Sequence, residues 1–131
     1  MYKILVVEDE ELIRKGLVYA YEWAAADCIV VGEADNGLAG EEAIRRLQPD
    51  IVITDINMPL ADGLPMMETT MLSCVYTAIV ISGYDEFSLA QKAMRLGVSE
   101  YLLKPIEFDN LTLALERAKQ QLEQRKLYLH A

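Results

Sequence analysis

The sequence predicts a doubly wound α/β domain built on a parallel five-stranded sheet. Three observations lead there. Five short apolar runs rich in Val, Ile and Leu alternate with stretches whose apolar residues have helical spacing. The runs are nearly continuous instead of alternating with polar residues, the pattern of strands buried on both faces of a parallel sheet. The 131 residues provide one core and no comfortable room for a second.

Ile4 to Val7 is the first run and stops at an acidic cluster. Ile13, Gly16, Leu17 and Ala20 then form a helical stripe between Glu10 and Tyr21. Ile29 to Val31 is the second run. Asn36-Gly37 marks a turn, and Ala39, Ala43, Ile44 and Leu47 form the next helical face. Gly40 lies inside that helix, at a cost of about 1 kcal/mol relative to Ala. Pro49-Asp50 precedes the third run, Ile51 to Ile53. Pro59, Asp62, Gly63 and Pro65 mark a loop, with Pro65 in the first turn of a short helix that ends before Ala78. The fourth run is Ala78 to Ile81. Asp85 reads as the N-cap of a helix ending at Leu96, with Gly97 just beyond it. Tyr101 to Leu103 is the fifth run, Pro105 blocks its continuation, and the last helix starts near Phe108 or Asp109.

Composition removes several function classes. Lysine and arginine number 12 against 21 acids, a formal charge of −9, which argues against a nucleic-acid surface spread over the chain. The single histidine, His130, excludes a core Ser-His-Asp triad. Cys28 and Cys74 have no metal-binding spacing and read as reduced thiols. No apolar run approaches the ~20 residues of a membrane span, and Met1 to Glu8 lacks the features of a signal peptide, so a soluble cytoplasmic protein without membrane contact is expected.

In open parallel sheets, ligands bind beyond the carboxyl ends of the strands. The first run delivers Glu8, Asp9, Glu10 and Glu11 to that edge. The third delivers Thr54 and Asp55, the fourth Ser82-Gly83, and the fifth Lys104-Pro105. Carboxylates brought together repel one another, and a hard divalent cation such as Mg²⁺ relieves this. Asp9 and Asp55, with Glu8 alongside, are the expected ligands. A carboxylate is also a nucleophile able to form an aspartyl phosphate. Phosphoryl transfer asks mainly for charge neutralisation and positioning, which Lys104 and a cation would supply, with the Ser82 hydroxyl donating to a phosphoryl oxygen. No glycine-rich nucleotide loop is present.

The ordered set Val6-Val7-Glu8-Asp9-Glu10, Ile53-Thr54-Asp55-Ile56-Asn57-Met58-Pro59, Asp62-Gly63, Ile81-Ser82-Gly83 and Tyr101-Leu102-Leu103-Lys104-Pro105 resembles the receiver domain of two-component response regulators. The resemblance covers about residues 2 to 122, leaving 123–131 as a helix extension or the start of a linker. It implies a flavodoxin-like, CheY-like three-layer (βα)5 sandwich with sheet order 2-1-3-4-5. It also implies that Asp55 is the phosphoacceptor and that Glu8, Asp9, Asp55 and the backbone carbonyl of Asn57 serve Mg²⁺. Lys104 matches the active-site lysine, Ser82 and Tyr101 match the switch pair, and Lys104-Pro105 matches a peptide bond that is typically cis. The phosphodonor would be a sensor histidine kinase, and the chain would be a phosphoacceptor without separate substrate turnover, only slow autodephosphorylation. Glu22-Trp23 and Ser82 to Phe87 resemble the YesN-like subgroup, whose members usually carry an AraC-type DNA-binding module after the receiver; DNA contact would belong to that module, absent from these residues. Position 8 departs from the more usual aspartate, and Met66 to Cys74 carries little charge.

The resemblance further implies that Ser82 moves toward a phosphoryl group and Tyr101 turns inward, changing the face made by the fourth helix, fifth strand and fifth helix. A homodimer through that face is a further expectation. Arg117, Lys119, Arg125 and Lys126 read as a solvated basic face of the last helix. Two other function classes stay open. An aspartate-nucleophile phosphohydrolase of the haloacid-dehalogenase type would need an acid where Asn57 stands. A phosphorylation-independent interaction module would not need the complete set Asp9, Asp55, Ser82 and Lys104.

Overall fold

The computed structural model describes residues 1–58, 63–83 and 87–130. Pro59, Asp62 and the segment 84–86, with the expected N-cap Asp85, lie outside the described residues. In chain order the elements are β1 (Tyr2–Val7), α1 (Glu11–Ala20), a 3-10 turn (Trp23–Ala26), β2 (Cys28–Ala34), α2 (Gly37–Leu47), β3 (Ile51–Asp55), α3 (Gly63–Thr70), β4 (Thr77–Ser82), α4 (Phe87–Arg95), β5 (Glu100–Leu103) and α5 (Phe108–His130). The five strands are parallel in the order β2-β1-β3-β4-β5, the flavodoxin-like topology.

Alternation along each strand divides the core into two layers. Ile4, Val6, Ile51, Ile53, Ile79 and Ile81 face α1 and α5, where Leu17, Leu111, Leu115 and Ala118 meet them. Leu5, Val7, Val52, Ala78 and Val80 face the other way, onto Ile44, Met66, Met67 and Ala93 of α2, α3 and α4. A fully buried leucine such as Leu111 contributes about 1.5–3 kcal/mol. The central strands β1, β3 and β4 are buried as expected, apart from the half-exposed start of β1. The edge strands are not: much of β2 and β5 is half-exposed, because each has a neighbour on one side only.

Several local features differ from the sequence reading. Ala20 is exposed, and the stripe of α1 is completed instead by Val18 and by Tyr21 beyond its end. Trp23 opens the unexpected 3-10 turn; its Nε1–H donates to the Leu17 carbonyl at 3.0 Å, and its ring meets Tyr21 edge-on. Asn36, read as a turn marker, is the N-cap of α2, its Oδ1 accepting from the Ala39 N–H at 2.8 Å. Gly40 has a packing reason: a Cβ there would lie 2.5 Å from Met66 Sδ and 3.2 Å from Val7 Cγ1. Helix α3 is poor in charge because most of it is buried, including Leu64, Met66, Met67 and Thr70.

The last helix continues to His130, and of its basic residues Lys119 and Arg125 are less solvated than expected, whereas Arg117 is exposed as expected. Arg125 donates to the carbonyls of Tyr76 (2.6 Å) and Gly97 (3.0 Å). Lys119 reaches the Ala26 carbonyl, and Arg117 pairs with Glu100 at 2.8 Å. Among the described residues no helix is long and apolar enough to cross a membrane.

Candidate functional site

The parallel sheet carries the tips of β1, β3, β4 and β5 to one edge, where a cleft of about 340 Å³ is lined by Asp9, Glu10, Asp55, Asn57, Ser82, Gly83 and Lys104. Glu8 follows β1 directly and is fully buried, its N–H donating to the Ala34 carbonyl on β2. Its Oε2 accepts from the Glu10 N–H at 3.1 Å, while Arg14 holds the Glu8 carbonyl at 2.8 Å. Asp55 ends β3 and is 4% exposed. Its Oδ1 accepts from the Asn57 N–H at 3.1 Å and its Oδ2 from the Lys104 ammonium at 2.9 Å. Ser82, at the tip of β4, is buried, and its carbonyl accepts from the Lys104 N–H at 2.8 Å. The Lys104–Pro105 peptide bond is cis.

Lys104 is the electrostatic centre. Its Nζ lies 2.7 Å from Glu8 Oε1, 2.9 Å from Asp55 Oδ2 and 3.1 Å from Glu10 Oε1. Burial works against its charge, but Glu8, Asp55 and Glu10 together outweigh this and push its pKa up. Glu8 shows the opposite balance. Burial pushes its pKa up to about 7, and contact with Lys104 and the Glu10 N–H only partly offsets that. The ammonium meets Glu8 Oε1 at short range but outside hydrogen-bond direction, so this buried oxygen receives no hydrogen bond among the described residues.

The donor set fits a hard divalent cation. Glu8, Asp9, Glu10 and Asp55 each offer a carboxylate oxygen, all within 4.8 Å of one another. Such clustered oxygens, one of them buried without a donor, are what Mg²⁺ accepts as ligands. Glu10 was not among the ligands expected from sequence. Four successive acids follow β1, and only the fold shows that Glu10 turns toward Lys104 while Glu11 enters α1. Gly63 was also missed as a site residue. A Cβ at Gly63 would lie 2.5 Å from the Asp55 carbonyl oxygen, so only glycine lets α3 start against the end of β3. Thr54 supports the same carbonyl, donating from Oγ1 at 2.8 Å. Tyr101 lies outside the cleft, half-buried on β5 against the core layer of α2–α4.

The family model described as "Response regulator receiver domain" matches residues 4–116. The chain belongs to that family. This receiver domain is 38% identical over 129 residues to the "Uncharacterized transcriptional regulatory protein YesN" of Bacillus subtilis (strain 168), covering 98% of this chain and 35% of that protein. It is 32% identical to the transcriptional regulatory protein HptR of Staphylococcus aureus (strain N315), covering 89% of this chain and 46% of that protein. It thus spans less than half the length of either relative. Among solved structures, the REC domain of AraT, a response regulator from Geobacillus stearothermophilus, superposes with a TM-score of 0.86 at 38% identity, covering 95% of this chain and 98% of that one. The expected YesN-like receiver of a two-component system is therefore what sequence and fold agree on.

Proposed function

We propose that this receiver domain accepts a phosphoryl group on Asp55 from a phosphohistidine of a sensor histidine kinase, with Mg²⁺ held at the carboxylate cluster. The observation that carries this reading is the contact of Lys104 Nζ with Asp55 Oδ2 at 2.9 Å, inside a group of four carboxylates. An Asp55 carboxylate oxygen attacks phosphorus, and the P–N bond to the donor imidazole breaks. The imidazole nitrogen keeps the electron pair, and an aspartyl phosphate remains. The Asn57 N–H and Lys104 orient the attacking carboxylate, and Lys104 then balances charge on the phosphoryl oxygens. Glu8, Asp9, Asp55 and the Asn57 carbonyl would hold Mg²⁺, which when bound screens the carboxylates and the incoming phosphoryl oxygens from one another.

Ser82 lies in the same cleft, which supports a role for its hydroxyl in meeting a phosphoryl oxygen. Tyr101 would then turn inward and alter the α4–β5–α5 face, a local charge event biasing a two-state element. A homodimer through that face and a DNA-binding module outside these residues would carry the output, in the cytoplasm. Apart from slow autodephosphorylation, no turnover is expected. Acetyl phosphate and Mg²⁺ should produce a hydroxylamine-labile phosphoryl adduct on the native chain and none on Asp55→Asn. An unlabelled native chain would sink this reading.

A further inference from the structure

The ammonium of Lys104 has three N–H donors and faces three carboxylates, those of Glu8, Asp55 and Glu10. It donates to Asp55 and Glu10 and pairs with Glu8 by charge alone, so an incoming phosphoryl oxygen meets a cation already shared among three anions and gains its full charge only if one of them yields. Asp55 is the group being modified, and Glu8 is fully buried and held by the Glu10 N–H. Glu10 is different: its side chain is 59% exposed, and it contacts Lys104 from the mouth of the cleft. It is also the residue whose loss of contact costs least, since a solvent-facing ion pair contributes at most about 1 kcal/mol.

We infer that Glu10 is a positioning residue that acts as an internal anion, competing with the incoming phosphoryl group for Lys104 and swinging outward when that group binds. This inference rests on the proposed phosphoacceptor role of the site. Glu10 would thereby lower the affinity of the cleft for free phosphate-like anions and slow phosphorylation by small donors. A donor with further binding contacts could offset the loss. Glu11, next in sequence and exposed at the start of α1, makes no ion pair with Lys104 among the described residues and separates this local competition from net charge.

Inorganic phosphate titrated into the metal-free protein, followed by the NMR shifts of the Lys104 and Ser82 amides, tests this without requiring phosphorylation. Glu10→Gln should tighten phosphate about three- to fivefold, the equivalent of one exposed ion pair, whereas Glu11→Gln should leave it unchanged. Acetyl phosphate should phosphorylate Glu10→Gln faster by a similar factor. Unchanged phosphate affinity in Glu10→Gln, or equal tightening in both variants, overturns the inference even if Asp55 is phosphorylated normally. If Glu10→Gln tightens phosphate but no variant is phosphorylated, the competition stands and the phosphoacceptor reading fails.

Discussion

At the residue scale, the site depends on how one ammonium is shared. Lys104 neutralises Asp55 and the buried Glu8 together, and neither carboxylate has another cation within ion-pair distance among the described residues. Lys104→Met keeps most of the length of the side chain and removes its charge. Removing a preorganised charge-stabilising donor costs about 10²–10³-fold in comparable sites. Phosphorylation of Lys104→Met by acetyl phosphate should therefore fall by roughly 10²-fold, measured as the initial rate of adduct formation. A rate near that of the native protein would show that Lys104 serves only the folded structure. Most of these residues were legible in the sequence because each stands at the end of an apolar run: Glu8, Ser82 and Lys104 directly after theirs, and Asp55 one residue on, after Thr54. Glu10 was not, since a run of four acids does not reveal which of them turns toward the lysine. Gly63 was not, since close backbone approach leaves no mark on composition.

At the element scale, the strands were legible because β-branched runs in a parallel sheet are both short and continuous. The 3-10 turn at Trp23–Ala26 was not, because a single turn is too short to display a period. Helix α2 carries the sharper lesson. Propensity alone says that Gly40→Ala should stabilise the helix by about 1 kcal/mol. Packing says the reverse, because the added methyl would lie 2.5 Å from Met66 Sδ and 3.2 Å from Val7 Cγ1, both buried side chains. Overpacking of this kind costs typically about 1–3 kcal/mol. Urea unfolding of Gly40→Ala should show a net loss of about 1 kcal/mol, and a gain in stability would mean that Met66 repacks freely.

At the scale of the whole molecule, α5 ties the ends of the layers together. Arg125 joins the segment before β4 to the turn after α4 through the carbonyls of Tyr76 and Gly97. Hydrogen bonds from a charged donor contribute about 1.5–3 kcal/mol when buried, less where solvent reaches them. Arg125→Ala should lower the unfolding free energy by about 2 kcal/mol, and removing residues 123–131 should cost at least as much; an unchanged urea midpoint in either would contradict this. The charge of −9 is unevenly distributed, since four of the acids gather at the strand tips. On the proposed function, phosphorylation at this edge of the sheet falls on one aspartate. Borohydride reduction after treatment with acetyl phosphate and Mg²⁺, followed by peptide mass mapping, locates the adduct, because an aspartyl phosphate is reduced to homoserine. Homoserine at position 55, lost when Mg²⁺ is chelated, is the predicted result; an unmodified Asp55, or homoserine at another acid, would contradict it.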